Sequence, residues 1–453
     1  GKEPVLVFMK KSPRTIAAFF GVIRAGCFYV PIDEEMPRLR IDLIIETCHP
    51  RAMICDASTK AIAETLAFDG QILLYEELQN APCHPARLQA VREAAIDTDP
   101  IYIVFTSGST GRPKGVAACH RSVLDYVHQL SDVLGFSEET VFGNQTPLYF
   151  DACLKEVYPT LMFGATTWLI PHEYFSQPKR LVEYLNEKQI NTICWVVSAL
   201  TMISAFKTFD EVRPLYLRTI AFGSEVFPVK QYRIWKSTLP KAQFVNLYGP
   251  TEGTGMSCYY RCERDFAEDE PIPIGRPFKN TEVLLLNENN ELAKDGEEGE
   301  ICLRGTCVTL GYYNNPEKTA EVFVQNPLNT VYPEIIYRTG DIARRDADGN
   351  LIFISRKDFQ IKHMGHRIEL GEIEANVNRV EGVKLCGCTY NTQRGKISCF
   401  YVGDIEPRQL TIALKGMLPR YMLPNRTRQL EEMPFTANGK IDRKALEALQ
   451  ETH

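Results

Sequence analysis

The segment from Thr106 to Gly115 combines residue types that suit phosphate binding. It reads Thr-Ser-Gly-Ser-Thr-Gly-Arg-Pro-Lys-Gly and follows the apolar run Ile101–Phe105. Glycines let backbone N–H groups approach phosphate oxygens, while the hydroxyls and Lys114 add donors and a positive charge. The spacing is not that of a Walker-type P-loop, because Lys114 follows a proline instead of a glycine. The pattern therefore predicts a phosphate-binding loop, with a flexible polar hairpin as the alternative.

Short apolar segments alternate with amphipathic stretches around this loop and predict an α/β fold. Leu6–Phe8, Ile72–Tyr75 and Ile101–Phe105 have the composition of strands. Thr15–Arg24 and Arg121–Leu134 carry apolar residues at helical spacing. Such alternation favours largely parallel sheets.

After Asn246 the pattern changes to short β segments separated by turn residues, which indicates a strand-rich subdomain. These segments are Glu282–Leu286, Glu300–Arg304 and Asn350–Ser355. A βαβ-like tail follows, with strands at Phe359–Met364, Lys384–Tyr390 and Ile397–Val402, a helix face of Ile373, Val377 and Val380, and a helix around Leu410–Leu418. We therefore expect a large N-terminal unit, 1–357, and a small, mobile α+β C-terminal domain, 358–453, that meet at a hinge near Asp358.

Composition indicates a soluble globular protein of the cytoplasm. Apolar residues make up 44% and charged residues 24% of the 453 residues. The net charge of −6 argues against a nucleic-acid-binding face, which requires a basic field. No apolar run reaches the length that spans a bilayer, and no signal-peptide pattern begins the chain. Fourteen scattered cysteines lack paired CxxC spacing, so we interpret them as reduced, mostly buried thiols and not as a zinc site.

Four further motifs relate the whole chain to a known superfamily. In chain order they are Ala-Gly-Cys-Phe-Tyr-Val-Pro-Ile-Asp at 25–33, Tyr-Gly-Pro-Thr-Glu at 248–252, Tyr-Arg-Thr-Gly-Asp at 337–341 and Asn-Gly-Lys-Ile-Asp-Arg at 438–443. Together with the glycine-rich loop, they resemble the motifs of the adenylate-forming superfamily, which includes acyl-CoA synthetases, luciferases and the adenylation domains of nonribosomal peptide synthetases. The last group is the most similar. Members of the superfamily carry more sequence before the first motif, so we expect the chain to be N-terminally truncated relative to them.

The resemblance implies a nucleotide site assembled from several of these motifs. Tyr248 would lie against adenine, Asp341 and Arg356 would bind the ribose, and Thr251 would contact the α-phosphate. Glu252 would help to hold Mg²⁺, a hard cation that prefers carboxylate and phosphate oxygens. Taken alone, the motif around Thr251 could instead form a turn with this residue as a cap. The complete predicted nucleotide set is Thr106, Ser107, Gly108, Ser109, Thr110, Gly111, Gly223, Ser224, Glu225, Asn246, Tyr248, Gly249, Thr251, Asp341 and Arg356.

Lys440 is the predicted catalytic residue, with Lys114 and Thr251 assisting. An ammonium on a flexible stem can reach the substrate carboxylate and the α-phosphate together and neutralise the charge that collects between them. Outside its motif, Lys440 would be interpreted as a solvated loop lysine.

Asp151 indicates the kind of substrate. In the peptide synthetase branch an aspartate here pairs with the α-amino group, and a carboxylate inside a pocket needs such a cation. Fatty acids offer none. The alternative is that Asp151 only caps a helix that runs toward Lys155. The resemblance implies a substrate site lined by Asp151, Ala152, Lys155, Cys194, Ile220, Phe222, Leu247, Gly255, Met256 and Lys440.

Most of these side chains are apolar, which favours a medium-sized hydrophobic amino acid. Lys155 does not fit that description. It could extend out of the pocket with its stem along the wall, or it could pair with an acidic substrate side chain. The second possibility would change the substrate class.

The resemblance implies a two-step reaction that requires ATP, Mg²⁺ and a phosphopantetheine-bearing carrier protein. The amino acid first becomes an aminoacyl-adenylate with release of pyrophosphate, and the carrier thiol then takes the aminoacyl group and releases AMP. In the family the small domain rotates between these steps, so that Lys440 serves the first and the face formed by Met364, Gly365 and His366 lines the thiol route in the second.

Three alternatives remain at this stage. A D-alanine carrier-protein ligase or an acyl-CoA synthetase has similar motifs. A catalytically silent nucleotide-binding module is possible in principle, although the intact Lys114, Glu252, Asp341 and Lys440 speak against it. An ordinary P-loop kinase or NTPase is disfavoured by the loop spacing.

Overall fold

The computed structural model describes residues 2–108, 111–357, 360–436 and 441–451. The first sheet is built from β1 (Pro4–Phe8), β2 (Phe28–Ile32), β3 (Ala52–Cys55), β4 (Gln71–Leu74), β5 (Pro100–Thr106) and β6 (Lys114–Cys119). Their order is β4-β3-β1-β2-β5-β6. The strands pair in parallel except for β6, which returns antiparallel to β5. The predicted phosphate loop therefore joins two paired strands.

The second sheet contains seven strands within the described residues. They are β7 (Val141–Asn144), β8 (Thr166–Leu169), β9 (Thr192–Val196), β10 (Thr219–Gly223), β11 (Gln243–Tyr248), β12 (Cys258–Arg261) and β13 (Arg276–Pro277). The order is β13-β12-β11-β10-β9-β7-β8. Strands β7 to β11 are parallel, and β12 and β13 are antiparallel additions at one edge.

Antiparallel pairing dominates the rest of the chain. The third sheet contains β14 (Thr281–Leu286), β15 (Gly299–Gly305), β16 (Phe323–Gln325), β17 (Ile335–Arg345) and β18 (Leu351–Arg356). The C-terminal part contains a hairpin of β19 (Gln360–His363) and β20 (His366–Glu369), and a sheet of β21 (Val383–Asn391), β22 (Lys396–Gly403) and β23 (Arg426–Gln429). In that last sheet, β22 and β23 are parallel.

Helices cover the sheets and begin and end where local chemistry favours it. They are α1 (Pro13–Arg24), α2 (Arg38–Cys48), α3 (Lys60–Ala63), α4 (Tyr75–Leu78), α5 (Pro85–Ala94), α6 (His120–Leu134), α7 (Leu154–Phe163), α8 (Pro178–Glu187), α9 (Val197–Ala205), α10 (Val229–Thr238), α11 (Pro316–Val322), α12 (Leu370–Val377), α13 (Pro407–Lys415) and α14 (Arg443–Glu451). At the start of α1 the Ser12 side chain accepts a hydrogen bond from the Thr15 N–H. Helix α6 ends at Gly135, whose φ of 72° suits a left-handed cap.

Separate apolar cores lie in the two parts of the chain. Helices α1 and α6 share one core with the inner faces of the first two sheets, and a distinct core lies between β19–β23 and helices α12 and α13. The α/β class, the β-rich subdomain and the small C-terminal unit are confirmed. The proposed hinge residue, Asp358, lies outside the described residues. All fourteen cysteines are free thiols and most are buried, as predicted.

Candidate active site

One cavity lies where loops of the large unit meet the hairpin of the small unit. Loops that follow the parallel strands β5, β7, β9, β10 and β11 reach it, because the carboxyl ends of parallel strands meet at one edge of a sheet. The predicted site residues that line it are Thr106, Ser107, Asp151, Ala152, Ser224, Gly249, Thr251, Gly255, Met256, Asp341 and Arg356.

The phosphate end of the cavity is formed by the glycine-rich loop. The Oγ1 of Thr106 is buried and has no hydrogen-bond partner among the described residues. A Cβ at Gly108 would lie 2.1 Å from the carbonyl oxygen of Arg112, so only glycine fits there. Lys114 places its ammonium 5.1 Å from the centre of the Tyr312 ring. Hydroxyl, backbone and ammonium donors therefore occur together at this loop, as phosphate binding requires. Ser109 and Thr110 lie outside the described residues.

A second cluster lies at the end predicted to bind the ribose. The buried Asp341 carboxylate forms an ion pair with Arg356 at 2.5 Å and accepts a hydrogen bond from the Tyr248 hydroxyl at 2.5 Å. The ammonium of Lys362 lies 5.2 Å from the centre of the Tyr248 ring. A Cβ at Gly249 would lie 2.5 Å from the Ser257 nitrogen. The three residues assigned to the ribose and adenine are thus in direct contact.

Glu252, the predicted metal ligand, is fully buried between two partners. Its carboxylate accepts a hydrogen bond from Tyr312 Oη at 2.6 Å and pairs with Arg367 at 2.6 Å. Burial would raise the pKa of Glu252, but Arg367, Lys114 and Tyr312 together lower it to about 2. An ionised carboxylate beside the phosphate loop fits the oxygen chemistry of Mg²⁺. In the arrangement described here, however, both oxygens have protein partners.

The carboxylate of Asp151 also lines this cavity. It accepts the backbone N–H of Gly255 at 3.2 Å and also bonds with the Thr251 side chain. Burial raises the pKa of Asp151 to about 6, against the opposing effect of the Lys155 ammonium. No side-chain cap bond is made at the start of this turn or of α7. The alternative in which Asp151 only caps the helix is therefore wrong.

The structure corrects two of the predicted pocket residues. Ile220 and Phe222 pack in the core on the far side of the second sheet. Ala221 lies between them and pairs in register with Cys194, and these two share the opposite core with Leu247. Successive side chains of a strand point to opposite faces. The assignment of Ile220 and Phe222 was displaced by one residue, and Ala221 takes their place on the site-facing side.

The structure also contradicts one of the two predictions for Lys155, in which its side chain extends out of the pocket. Its residue is 3% exposed, so the side chain does not extend to solvent along the pocket wall. It lies close enough to Asp151 and Glu156 to oppose the rise in pKa that burial causes at both carboxyls. Asp151, the first residue of the preceding turn, precedes Lys155 by four positions, which explains this proximity.

Some predicted residues lie beside the cavity and not in it. The side chain of Asn246 donates to the Pro273 carbonyl at 2.9 Å, because it shares the strand face of Phe222. Glu225 joins two loops by accepting the N–H of Ser198 at 2.8 Å and that of Gly365 at 2.9 Å. The remaining two cases are Gly223, which ends β10, and Gly111, which has a φ of 78°. Lys440 lies outside the described residues.

Sequence reasoning missed most of the small unit's contribution. It identified the face of Met364, Gly365 and His366, and all three line the cavity. It did not identify Lys362, Arg367, Glu369, Glu372 and Tyr421 of the small unit, or Arg40 of the large unit, which line the cavity or contact the phosphate loop and its neighbours. The signal available was the dense charge of the 367–372 segment between apolar residues, since charges are rarely buried without partners.

Comparison with known proteins agrees with this geometry. Residues 1–313 match the AMP-binding enzyme family. Tyrocidine synthase 1 of Brevibacillus parabrevis is 32% identical over 97% of this chain and 40% of its own length. The chain thus spans less than half of that synthase. The D-alanine–D-alanyl carrier protein ligase of Lacticaseibacillus casei (strain BL23) is 33% identical over 98% of this chain and 88% of that protein.

Solved structures share the fold. Holo-PA1221, a nonribosomal peptide synthetase protein containing adenylation and PCP domains, is 27% identical with a TM-score of 0.83 over 99% of this chain and 76% of that chain. The Vibrio cholerae adenylation domain AlmE in complex with glycyl-adenosine-5'-phosphate is 23% identical, with a TM-score of 0.84 over 100% and 89%. The second likeness concerns the fold alone. The fold is thus shared with a structure that contains an adenylation domain.

The chain belongs to the AMP-binding enzyme family. Within the described ranges, no helix is both long and apolar enough to cross a membrane.

Proposed function

We propose that this chain activates an α-amino acid with ATP and transfers it to the phosphopantetheine thiol of a carrier protein. The observation that carries the proposal is that three chemically different groups lie at one cavity. The donor-rich phosphate loop matches a triphosphate. The aspartate that pairs with an arginine and a tyrosine matches the ribose, and the separate buried carboxylate matches an α-ammonium.

In the proposed first step, a substrate carboxylate oxygen attacks the α-phosphorus of ATP, and the bond to the pyrophosphate oxygen breaks. Lys114 and Lys440 neutralise the charge on the phosphates and on the attacking carboxylate, and Thr251 orients the α-phosphate. A bound Mg²⁺ would screen the phosphates further, with Glu252 as its protein ligand. Catalysis is then mainly positioning and charge neutralisation.

At the nucleoside end, Asp341 would accept hydrogen bonds from the ribose hydroxyls. Its ion pair with Arg356 and its bond with Tyr248 hold the carboxylate in one orientation. The ring of Tyr248 would contact adenine.

At the amino-acid end, Asp151 would pair with the α-ammonium. The cavity reaches Ala152 and Met256, whereas Cys194 and Leu247 below them are almost completely buried in the core. This closed floor favours a compact side chain over the medium-sized one expected from the apolar residues alone. Lys155 lies close to two buried carboxyl groups of the protein, Asp151 and Glu156, which disfavours a third carboxylate from an acidic substrate side chain at this place.

In the proposed second step, the carrier thiol, as thiolate, attacks the carbonyl carbon of the adenylate and AMP leaves. The route would pass Met364, which is 59% exposed, and the glycine beside it. His366 stacks on Tyr421 with the ring centroids 3.7 Å apart. Burial lowers the pKa of His366 to about 3, so this wall of the route is uncharged at neutral pH.

We further propose that residues 1–357 and 358–453 move as two bodies about Asp358. In the arrangement that we call seated, the hairpin of β19 and β20 lies against the cavity, and we assign this arrangement to thiol transfer. In the second arrangement, Lys440 would reach the cavity instead. The reaction would take place in the cytoplasm, which the free thiols of the chain support.

Amino-acid-dependent exchange of pyrophosphate into ATP tests the proposal. The panel contains glycine, both enantiomers of alanine, leucine, aspartate and octanoate. We expect exchange with a compact amino acid. A strong preference for D-alanine would identify a ligase of the D-alanyl carrier type, and exchange with octanoate alone would identify an acyl-CoA synthetase. Absence of exchange with every compound, while the folded protein still binds ATP, would indicate a silent nucleotide-binding module.

A further inference from the structure

A short segment of the small unit, residues 367–372, contacts four of the residues that we assign to polyphosphate or its metal, namely Ser107, Gly108, Lys114 and Glu252. The segment covers the end of β20 and the start of α12. It presents one guanidinium and two carboxylates to the large unit. The charges on the two sides are complementary at each contact.

The two carboxylates lie on the phosphate donors. Glu372 accepts the backbone N–H of Gly108 at 3.0 Å and forms an ion pair with Arg40 at 2.5 Å. Both side chains of that pair are almost completely buried. Glu369 lies 3.7 Å from the ammonium of Lys114. Each of these donors is of a type that binds phosphate oxygens.

The guanidinium lies on the predicted metal ligand. Arg367 pairs with Glu252 at 2.6 Å. The hydroxyl of Ser107 is engaged as well, since it donates to the Arg367 carbonyl at 2.9 Å and accepts the Glu369 N–H at 3.1 Å. The guanidinium of Arg367 therefore contacts the carboxylate of Glu252, while the carboxylates of Glu369 and Glu372 contact donors of the phosphate loop.

We infer that this segment is an internal substitute for magnesium pyrophosphate. Arg367 takes the role of the metal on Glu252, and Glu369 and Glu372 take the role of phosphate groups on Lys114 and Gly108. The seated small unit and bound magnesium pyrophosphate use the same donors and are mutually exclusive. Glu369 and Glu372 are thus positioning residues that replace the departing pyrophosphate before thiol transfer. The inference rests on the proposed function for the assignment of the phosphate end.

Two consequences are measurable without turnover. Adding pyrophosphate with Mg²⁺ shifts the protein away from the seated arrangement. Conversely, weakening the contacts between residues 367–372 and the large unit raises the apparent affinity for pyrophosphate, because the fraction of protein that can bind it increases. Glu372→Gln and Glu369→Gln each remove one substitute anion and change the side-chain shape little.

The experiment measures the distance between spin labels on Cys83, which is exposed in the large unit, and on Arg394→Cys, in an exposed turn of the small unit. Calorimetry on the same proteins measures binding of inorganic pyrophosphate with Mg²⁺. We expect pyrophosphate to add a second distance in the otherwise wild-type protein. Each glutamine variant should populate that distance without pyrophosphate and bind pyrophosphate at least about fivefold more tightly.

Glu381→Gln removes an exposed carboxylate from the same unit and should change neither measurement. Pyrophosphate that binds without altering the distance would overturn the inference and leave the proposed function intact. Tighter binding by the variants without a change of distance would show a local charge effect and would also overturn it. If pyrophosphate neither binds nor exchanges into ATP, the assignment of the phosphate end itself fails.

Discussion

At the scale of single residues, the proposed reaction depends on one lysine that the sequence motif identifies. Lys440→Ala should slow adenylate formation about 100-fold, the effect of removing one group that stabilises transition-state charge. Pyrophosphate exchange measures this rate. Transfer of the aminoacyl group from pre-formed adenylate to a carrier should change much less, because that step does not use Lys440 in the proposed scheme.

Thermal unfolding serves as the control for the lysine variant, and its midpoint should match the wild type. An exchange rate within about threefold of wild type, equivalent to roughly 0.7 kcal/mol of barrier, would contradict the assignment.

Asp151 is the residue on which amino-acid recognition depends. Asp151→Ala would leave the substrate ammonium unpaired in a buried site, so kcat/KM should fall roughly 100-fold. A carboxylic acid of the same shape but without the amine should be affected much less. Steady-state exchange with both compounds measures the difference.

The pH profile adds an independent check on Asp151. Burial raises the pKa of its carboxyl to about 6, so the anion that binds the ammonium is lost as the pH falls through that value. The KM for the amino acid should therefore rise below about pH 6 in the wild type. Asp151→Asn should lack this rise. Equal losses for the amino acid and its deaminated analogue would argue that Asp151 acts only on the structure.

At the scale of elements, the turn between β19 and β20 determines whether the small unit can be seated. Gly365 has a φ of 78°, and a Cβ there would lie 2.3 Å from the Cγ1 of Val196. Gly365→Ala adds the cost of a left-handed alanine, roughly 1–2 kcal/mol, to this overlap. Transfer to the carrier should slow at least about tenfold, while pyrophosphate exchange is retained.

Val196→Ala provides the matched control for this turn. It removes the nearest atom, Cγ1, and leaves the Cβ of residue 196 at 2.9 Å from a Cβ at position 365, so the double variant should recover part of the transfer rate. The left-handed backbone cost would remain. No recovery, or a parallel loss of exchange and transfer in Gly365→Ala, would contradict the proposed role of this contact.

The register of β10 determines which of its side chains face the pocket. Motif spacing assigned Ile220 and Phe222 to the pocket, yet the core packing places Ala221 on that face. An offset of one residue exchanges the two faces of a strand completely. The apolar run Ile220–Phe222 is covered on both sides, and its sequence therefore contains no alternation that would reveal the correct face.

At the scale of the whole molecule, the proposal requires the small unit to rotate about Asp358. Proline fixes φ near −65° and restricts the residue before it, so Asp358→Pro should hold one arrangement. We expect the ratio of pyrophosphate exchange to carrier loading to change by at least about tenfold. If the arrangement that presents Lys440 is held, exchange survives and loading fails.

Both rates are measured on the same preparation of Asp358→Pro, with the midpoint of thermal unfolding as the control for folding. Parallel losses in exchange and loading would show that Asp358 is an ordinary turn residue. A normal ratio with normal rates would place the pivot elsewhere.

The sequence by itself determined the type and order of the elements and the chemistry of the phosphate loop. These depend on neighbours along the chain, such as the glycines around Thr106 and the helical spacing within α6, and local patterns record them. Only the tertiary structure decided the partners of the buried charges. Glu252 pairs with Arg367, and Asp151 bonds with Gly255, across 115 and 104 positions of the chain. Such pairs form because folding removes both groups from water at the same place. Their spacing along the sequence does not predict which groups will come together.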